Sequence, residues 1–273
     1  MAIRVVIFDL DGVLYRGEQP MPGALETVER LRHSGRRVIY ATNNSTRTRA
    51  EYVARLRSFG LAADIDDVVT SAYATARYLQ DKKLHARDAL VIGADGLRAE
   101  LRDAGVLEGE HRVRPFREVT DGPHADLVVV GLDQSFTYDK LADAQRAILA
   151  GAPFIAANKD LNYPVEGRLL PGAGAIVAAL EAATGRVAVC VGKPEPFMFE
   201  EALRRAGARG DEAIVVGDSL QTDVLAAQRI GATGVLILTG VTTEASLSGS
   251  DRVAPDHVID RLDALIELPA LRA

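Results

Sequence analysis

Val6-Ile7-Phe8-Asp9-Leu10-Asp11-Gly12 sets the reading of the whole chain. The run from Ile3 to Phe8 is apolar apart from Arg4 and reads as a buried strand. It ends in two aspartates. Residues two apart on an extended chain point to the same side, so Asp9 and Asp11 face one spot just beyond the sheet, where Gly12 lets the chain turn away. Two carboxylates that close repel unless one holds a proton or a cation lies between them, and a hard divalent ion is the natural partner. A plain acidic turn is the other reading of an Asp-x-Asp taken alone. An EF-hand is excluded, because Gly12 stands at the fourth loop position instead of the sixth and a strand leads in.

Working outward, short β-branched runs alternate with longer amphipathic stretches, the pattern of parallel strands joined by helices. Strands are expected at Arg37 to Ala41 and Asp67 to Thr70, with helices at Gly23 to His33, Arg49 to Phe59 and Ala72 to Gln80. The polar Asp81-Lys82-Lys83 reads as a linker. A second alternation follows, with strands Ala89 to Ile92, Leu127 to Val130 and Phe154 to Ala157 and helices Gly96 to Ala104, Tyr138 to Leu149 and Gly174 to Ala183. After Gly185 the first pattern resumes: strand Val187 to Val191, helix Pro196 to Ala206, strand Ala213 to Val216, helix Leu220 to Ile230, strand Gly234 to Leu238 and a last helix near Ile259 to Leu268. The expectation is an α/β protein, a doubly wound parallel-sheet core of residues 1–82 and 186–273 interrupted by an inserted α/β domain of residues 83–185.

Composition bounds the function. A chain of 273 residues, 48% apolar and 26% charged, is an ordinary globular one with room for one or two domains. Its single cysteine, Cys190, excludes an internal disulfide and reads as a buried strand residue. A net charge of −6 argues against nucleic acid or an anionic membrane as partner. With no basic, apolar leader and no apolar run of transmembrane length, a cytoplasmic protein is expected.

Three further polar clusters are expected at strand ends. Thr42-Asn43-Asn44-Ser45 offers hydroxyls, amides and N–H groups suited to an oxyanion such as phosphate; helix capping by Asn44 or Ser45 is the alternative. Lys193, in Val191-Gly192-Lys193-Pro194, is by itself a surface lysine as readily as a ligand. Asp218 and Asp223 lie in Gly217-Asp218-Ser219-Leu220-Gln221-Thr222-Asp223, with Asp218 as a helix cap the plainer reading. Their joint placement matters more than any one of them: ligand crevices of open parallel sheets lie outside the carboxyl ends of the strands.

The order Asp-x-Asp-Gly, Thr-Asn, Lys-Pro and Gly-Asp-x-x-x-x-Asp resembles the haloacid dehalogenase-like phosphatases over nearly the whole chain. The resemblance implies a Rossmann-like core in which Asp9 is the nucleophile, Asp11 the general acid/base, Thr42, Asn43 and Lys193 phosphate binders, Asp218 a Mg²⁺ ligand with Asp9 and the Asp11 carbonyl, and Asp223 a supporting group behind them. The insertion between Thr42 and Lys193, which are 151 residues apart, looks like the type IIA cap of NagD-like, pyridoxal-phosphate, phosphoglycolate and 4-nitrophenyl phosphatases. Further matches are Val130-Gly131-Leu132-Asp133, Ala157-Asn158-Lys159-Asp160 and Pro171-Gly172-Ala173-Gly174. In that family the segment Asn158 to Arg168 would face the substrate, with Tyr163 either stacking on the leaving group or packing within its loop. The implied function is Mg²⁺-dependent hydrolysis of a small phosphate monoester through an aspartyl-phosphate. A phosphomutase and a non-enzymatic receiver-like phosphoacceptor are the alternatives, and a homodimer through the cap is left open.

Overall fold

In the computed structural model, which describes residues 2–115, 124–165, 168–244 and 253–272, Val5–Phe8 is the strand at which the main sheet reverses its order. The six strands lie in the order His257–Ile259, Thr233–Ile237, Ala213–Gly217, Val5–Phe8, Arg37–Thr42, Val68–Thr70. Parallel pairing runs through the sheet from the first of these to Arg37–Thr42. The chain therefore winds outward in one direction after Val5–Phe8 and in the other from Ala213 onward, which opens a crevice at the carboxyl end of the central strands.

The chain divides into two compact units, one made of Met1–Thr42, Arg49–Val69 and Lys193–Ala273, the other of Asn43–Thr48 and Thr70–Gly192. In the first, alternate residues Val6, Phe8, Val38, Tyr40, Ile214, Val216, Val235 and Ile237 share one apolar cluster with Val28, Leu31 and Leu56. These last come from the helices Ala24–His33 and Arg49–Ser58. Val5, Ile7 and Ile39 on the opposite face are equally buried, and the helix Phe197–Ala206 packs on Val5–Phe8 and Arg37–Thr42. Burial on both faces explains why these strands read as continuous apolar runs instead of alternating ones.

The second unit holds a four-stranded sheet ordered Val189–Cys190, Phe154–Ala156, Leu127–Val130, Ala89–Ile92, again parallel. It carries the helices Ser71–Asp81, Asp95–Asp103, Tyr138–Leu149 and Ala173–Thr184. The sequence pattern puts the domain boundaries at residues 82/83 and 185/186, whereas the units change over at Thr42/Asn43, Thr48/Arg49, Val69/Thr70 and Gly192/Lys193.

Several elements differ from the sequence-based expectation. The strand expected at Val187 to Val191 of the core is the two-residue edge strand Val189–Cys190 of the second sheet, so Val187 and Val189 are exposed and Cys190 is half-buried. An edge strand needs only one apolar face, and a short apolar run does not say which sheet it joins. The last expected helix is instead strand His257–Ile259, a 3-10 helix Leu262–Glu267 and a short helix Pro269–Arg272. Ile259, Leu262, Leu265 and Leu268 recur every third residue, the 3-10 period, and all pack into the core. Asn162–Val165 and Arg168–Pro171 form an antiparallel hairpin that places Tyr163 opposite Leu170; residues 166 and 167 of the expected substrate-facing segment lie outside the described residues.

Candidate active site

Asp9 directly follows the central strand, its N–H donating to the Val216 carbonyl at 2.9 Å, so the carboxylate stands at the point where the sheet reverses. Thr42 ends the neighbouring strand on one side and Asp218 follows the neighbouring strand on the other. All three are buried. Lys193 does not end a core strand as expected: it re-enters the first unit after the second unit's edge strand. Its ammonium nevertheless reaches the centre, donating to Asp9 Oδ1 at 2.5 Å and Asp223 Oδ1 at 2.6 Å while only 3% exposed.

Asp223 takes its place through a local departure from helix geometry. Leu220–Val224 is a π-helical turn before the short helix Leu225–Arg229, where periodicity alone predicts one continuous α-helix. The wider turn lets Asp223 Oδ2 accept the Ser219 N–H at 3.2 Å while Oδ1 meets Lys193. Carboxylate oxygens of Asp9, Asp218 and Asp223 lie within 4.8 Å of one another, the one such metal-competent cluster among the described residues.

Three buried carboxylates beside one ammonium leave excess negative charge. Burial, then repulsion from Asp223 and Asp218, pushes the Asp9 carboxyl well above the ordinary carboxylate range against the pull of Lys193. Burial and Asp223 likewise push Asp218 up to about 6. Burial would lower the Lys193 ammonium, but Asp223 and Asp9 outweigh it and hold the group above its ordinary value. Hard oxygen donors converging with uncompensated charge fit a divalent ion such as Mg²⁺, with Asp9 and Asp218 free of the lysine on at least one oxygen each.

Sequence reading missed the loop that holds Asp218. Val241 N–H donates to Asp218 Oδ2 at 2.9 Å, Thr242 N–H donates to the Asp218 carbonyl at 2.9 Å, and Thr239 Oγ1 donates to the Gly12 carbonyl at 2.6 Å. A Cβ on Gly240 would lie 1.7 Å from Asp218 Oδ2 and one on Gly12, at φ +83, would lie 2.5 Å from it, so only glycine fits at either side of this carboxylate. The available signal was that Thr239 to Thr242 follow a fifth strand end, Thr233–Ile237.

Asp11 is exposed, beyond Asp9, and bridges to Tyr15. Asn43 and Asn44 fall in the second unit. Asn43 Nδ2 donates to Asp160 Oδ1 at 3.0 Å, and Asn44 Oδ1 accepts from Thr46 N–H at 2.9 Å and Thr46 Oγ1 at 2.7 Å. The following helix begins only at Arg49, so Asn44 closes a turn and does not cap that helix. Tyr163 is half-buried on the second unit's hairpin.

Two family models match the chain: "Haloacid dehalogenase-like hydrolase" over residues 6–107 and "HAD-hyrolase-like" over residues 190–265. A 5'-nucleotidase of Bacillus subtilis is 37% identical over 94% of this chain and 94% of its own length. The p-nitrophenyl phosphatase from Archaeoglobus fulgidus superposes with a TM-score of 0.87 at 37% identity, covering 98% of this chain and 99% of that one. A glycerol phosphate phosphatase of Mycobacterium tuberculosis, solved in complex with magnesium, superposes with a TM-score of 0.84 at 36% identity, covering 96% of this chain and 76% of that one.

Proposed function

We propose that this chain, which belongs to the haloacid dehalogenase-like hydrolases, is a Mg²⁺-dependent phosphatase that cleaves small-molecule phosphate monoesters through an aspartyl-phosphate. The observation that carries the reading is the buried Asp9–Lys193–Asp223 chain of ion pairs beside Asp218 at the sheet's reversal point. Asp9 attacks phosphorus in line, forming the Asp9–phosphorus bond as the ester oxygen leaves. Asp11 gives that oxygen its proton; its exposed position lets the side chain serve a leaving group outside the crevice. Asp11 then takes a proton from the water that attacks phosphorus, releasing phosphate and restoring Asp9.

Thr42, Lys193 and the Asn43 and Asn44 region bind phosphoryl oxygens, with the Lys193 ammonium held charged and aimed by Asp223. Mg²⁺, held by Asp9, the Asp11 carbonyl and Asp218, would offset the repulsion between the Asp9 carboxylate and the phosphate dianion. Of the two readings the sequence leaves open for Tyr163, a leaving-group contact or a packed loop aromatic, the first belongs to this proposal and is tested by whether Tyr163→Phe reorders substrate preference. No described helix is long and apolar enough to cross a membrane; a cytoplasmic location and a homodimer are part of the same proposal.

The deciding experiment is free-phosphate release, with and without Mg²⁺, from 4-nitrophenyl phosphate, phosphoglycolate, glycerol phosphate, pyridoxal phosphate and a nucleoside monophosphate. Mg²⁺-dependent release from at least one is expected. No turnover on any would overturn the phosphatase reading, and transfer without net phosphate release would favour a mutase.

A further inference from the structure

The segment Ala157-Asn158-Lys159-Asp160 follows strand Phe154–Ala156; Lys159 pairs with Glu181, while the Ala157 carbonyl and the Asn158 and Asp160 side chains meet Gly192 and Asn43. Ala157 N–H donates to Val130 O at 2.7 Å, which anchors the segment to the sheet, and Ala157 O accepts Gly192 N–H at 2.9 Å. Asn158, 3% exposed, donates from Nδ2 to the Asn43 carbonyl at 2.7 Å, and its Oδ1 accepts the Asp160 N–H at 3.2 Å, which fixes the orientation of the amide. Asp160 Oδ1 accepts from Asn43 Nδ2 at 3.0 Å, and Ser71 Oγ donates to the same Asn43 carbonyl at 2.5 Å. Asn43 and Gly192 lie side by side: a Cβ on Gly192 would stand 2.6 Å from Asn43 Oδ1. Asn43 follows Thr42 and Gly192 precedes Lys193, so one segment clasps the two peptides that carry both residues into the first unit.

We propose that Asn158 is a positioning residue for phosphate binding, acting through the Asn43 carbonyl on Thr42 and, through the Ala157–Gly192 link, on Lys193. This rests on the reading of Thr42 and Lys193 as phosphate ligands. The Asn43 carbonyl and the Asn44 N–H share one planar peptide and point in opposite directions, so the two donors on that carbonyl also set the direction of the N–H. Removing the Asn158 donor takes away one of the two donors described on that carbonyl and leaves the Ser71 hydroxyl. Replacing it with a carboxylate sets acceptor against acceptor.

The test uses 4-nitrophenyl phosphate turnover, inhibition by inorganic phosphate and thermal unfolding of the full chain. Asn158→Ala and Asn158→Asp are expected to weaken phosphate inhibition about tenfold and kcat/KM by about 10- to 100-fold, the scale of a misplacement approaching ~1 Å. Ser71→Ala should move both in the same direction, and the double variant should lose less than the product of the two, because both act on one carbonyl. Lys140→Ala, which breaks the 2.7 Å Asp133 ion pair elsewhere in the second unit, serves as control: it should lower the melting temperature and leave phosphate inhibition unchanged. The proposal is overturned if the Asn158 and Ser71 variants lower the melting temperature with phosphate inhibition intact. Thr42→Ala and Lys193→Met run alongside. If these two retain phosphate inhibition, the ligand reading itself fails; if they lose it while the Asn158 and Ser71 variants keep it, only the positioning role fails.

Discussion

Replacing Lys193 with Met tests the electrostatics of the site most directly. The substitution keeps a long apolar stem in a buried position and removes the ammonium that sits 2.5 Å from Asp9 and 2.6 Å from Asp223. What remains is three buried carboxylates with oxygens within 4.8 Å of one another. At an effective dielectric of about 20, two unit charges at that separation repel by about 3.5 kcal/mol, and breaking a buried pair from one side typically costs about 3–5 kcal/mol. Metal-free Lys193→Met should therefore melt about 10 °C below the parent near pH 7.5. The penalty should shrink on acidification. Asp218, pushed up to about 6, holds its proton to higher pH folded than unfolded, so the folded state binds more protons across roughly pH 4 to 6 and the metal-free parent loses stability as pH rises through that window; the raised Asp9 acts in the same direction. Without Lys193 the window extends upward, so between pH 7.5 and roughly pH 5 the variant recovers more than the parent. Thermal unfolding in chelator at both pH values is the assay. An equal penalty at the two would mean that Lys193 acts by packing and would refute the charge-balance account.

Four other outcomes follow from the same geometry. Asp9→Asn should abolish turnover yet leave metal-free stability at neutral pH unchanged or raised, since ionising the buried Asp9 is unfavourable; retained turnover excludes Asp9 as nucleophile. Saturating Mg²⁺, about 100-fold above its dissociation constant, should stabilise the protein by about 2.7 kcal/mol, a shift that chelator reverses and Asp218→Asn eliminates in calorimetry. Gly240→Ala drives a methyl group into Asp218 Oδ2 and should raise the Mg²⁺ concentration for half-maximal activity by about 10- to 100-fold, read from an Mg²⁺ titration of turnover. Asp11→Asn, at an exposed position, should change stability by less than about 0.5 kcal/mol. Its rate loss should be larger with glycerol phosphate than with 4-nitrophenyl phosphate, because an alkoxide needs the donated proton more than a nitrophenolate does; equal losses would argue against Asp11 as the acid.

Much of the candidate site is legible in the sequence because it depends on strand ends. Val5–Phe8, Arg37–Thr42 and Ala213–Gly217 are buried on both faces, so each shows as an apolar run that stops where polar residues begin. Asp9, Thr42 and Asp218 stand at those stops. Elements whose burial is partial are less legible: Val189–Cys190 sits on an edge, where a short apolar run does not say which sheet it joins, and the Asp223 turn reads as ordinary helix because a one-residue widening leaves the apolar spacing almost intact. Thr239 to Thr242 carry no charged side chain to signal them: they act through backbone N–H groups, threonine hydroxyls and the missing side chain of Gly240.

The linear order of the motifs around Asp9, Thr42, Lys193 and Asp218 carries the resemblance that identifies the family and, with it, the reaction class; a nucleophile, oxyanion donors and a cation are residue types visible one by one. Only the tertiary structure decided how the charges are shared. Lys193 lies 184 residues from Asp9 and 30 from Asp223, yet its one ammonium pairs with both, a sharing that no spacing in the sequence announces. Charge compensation depends on distances of a few ångströms and on exclusion of water, and both arise only when the sheet brings its strand ends together.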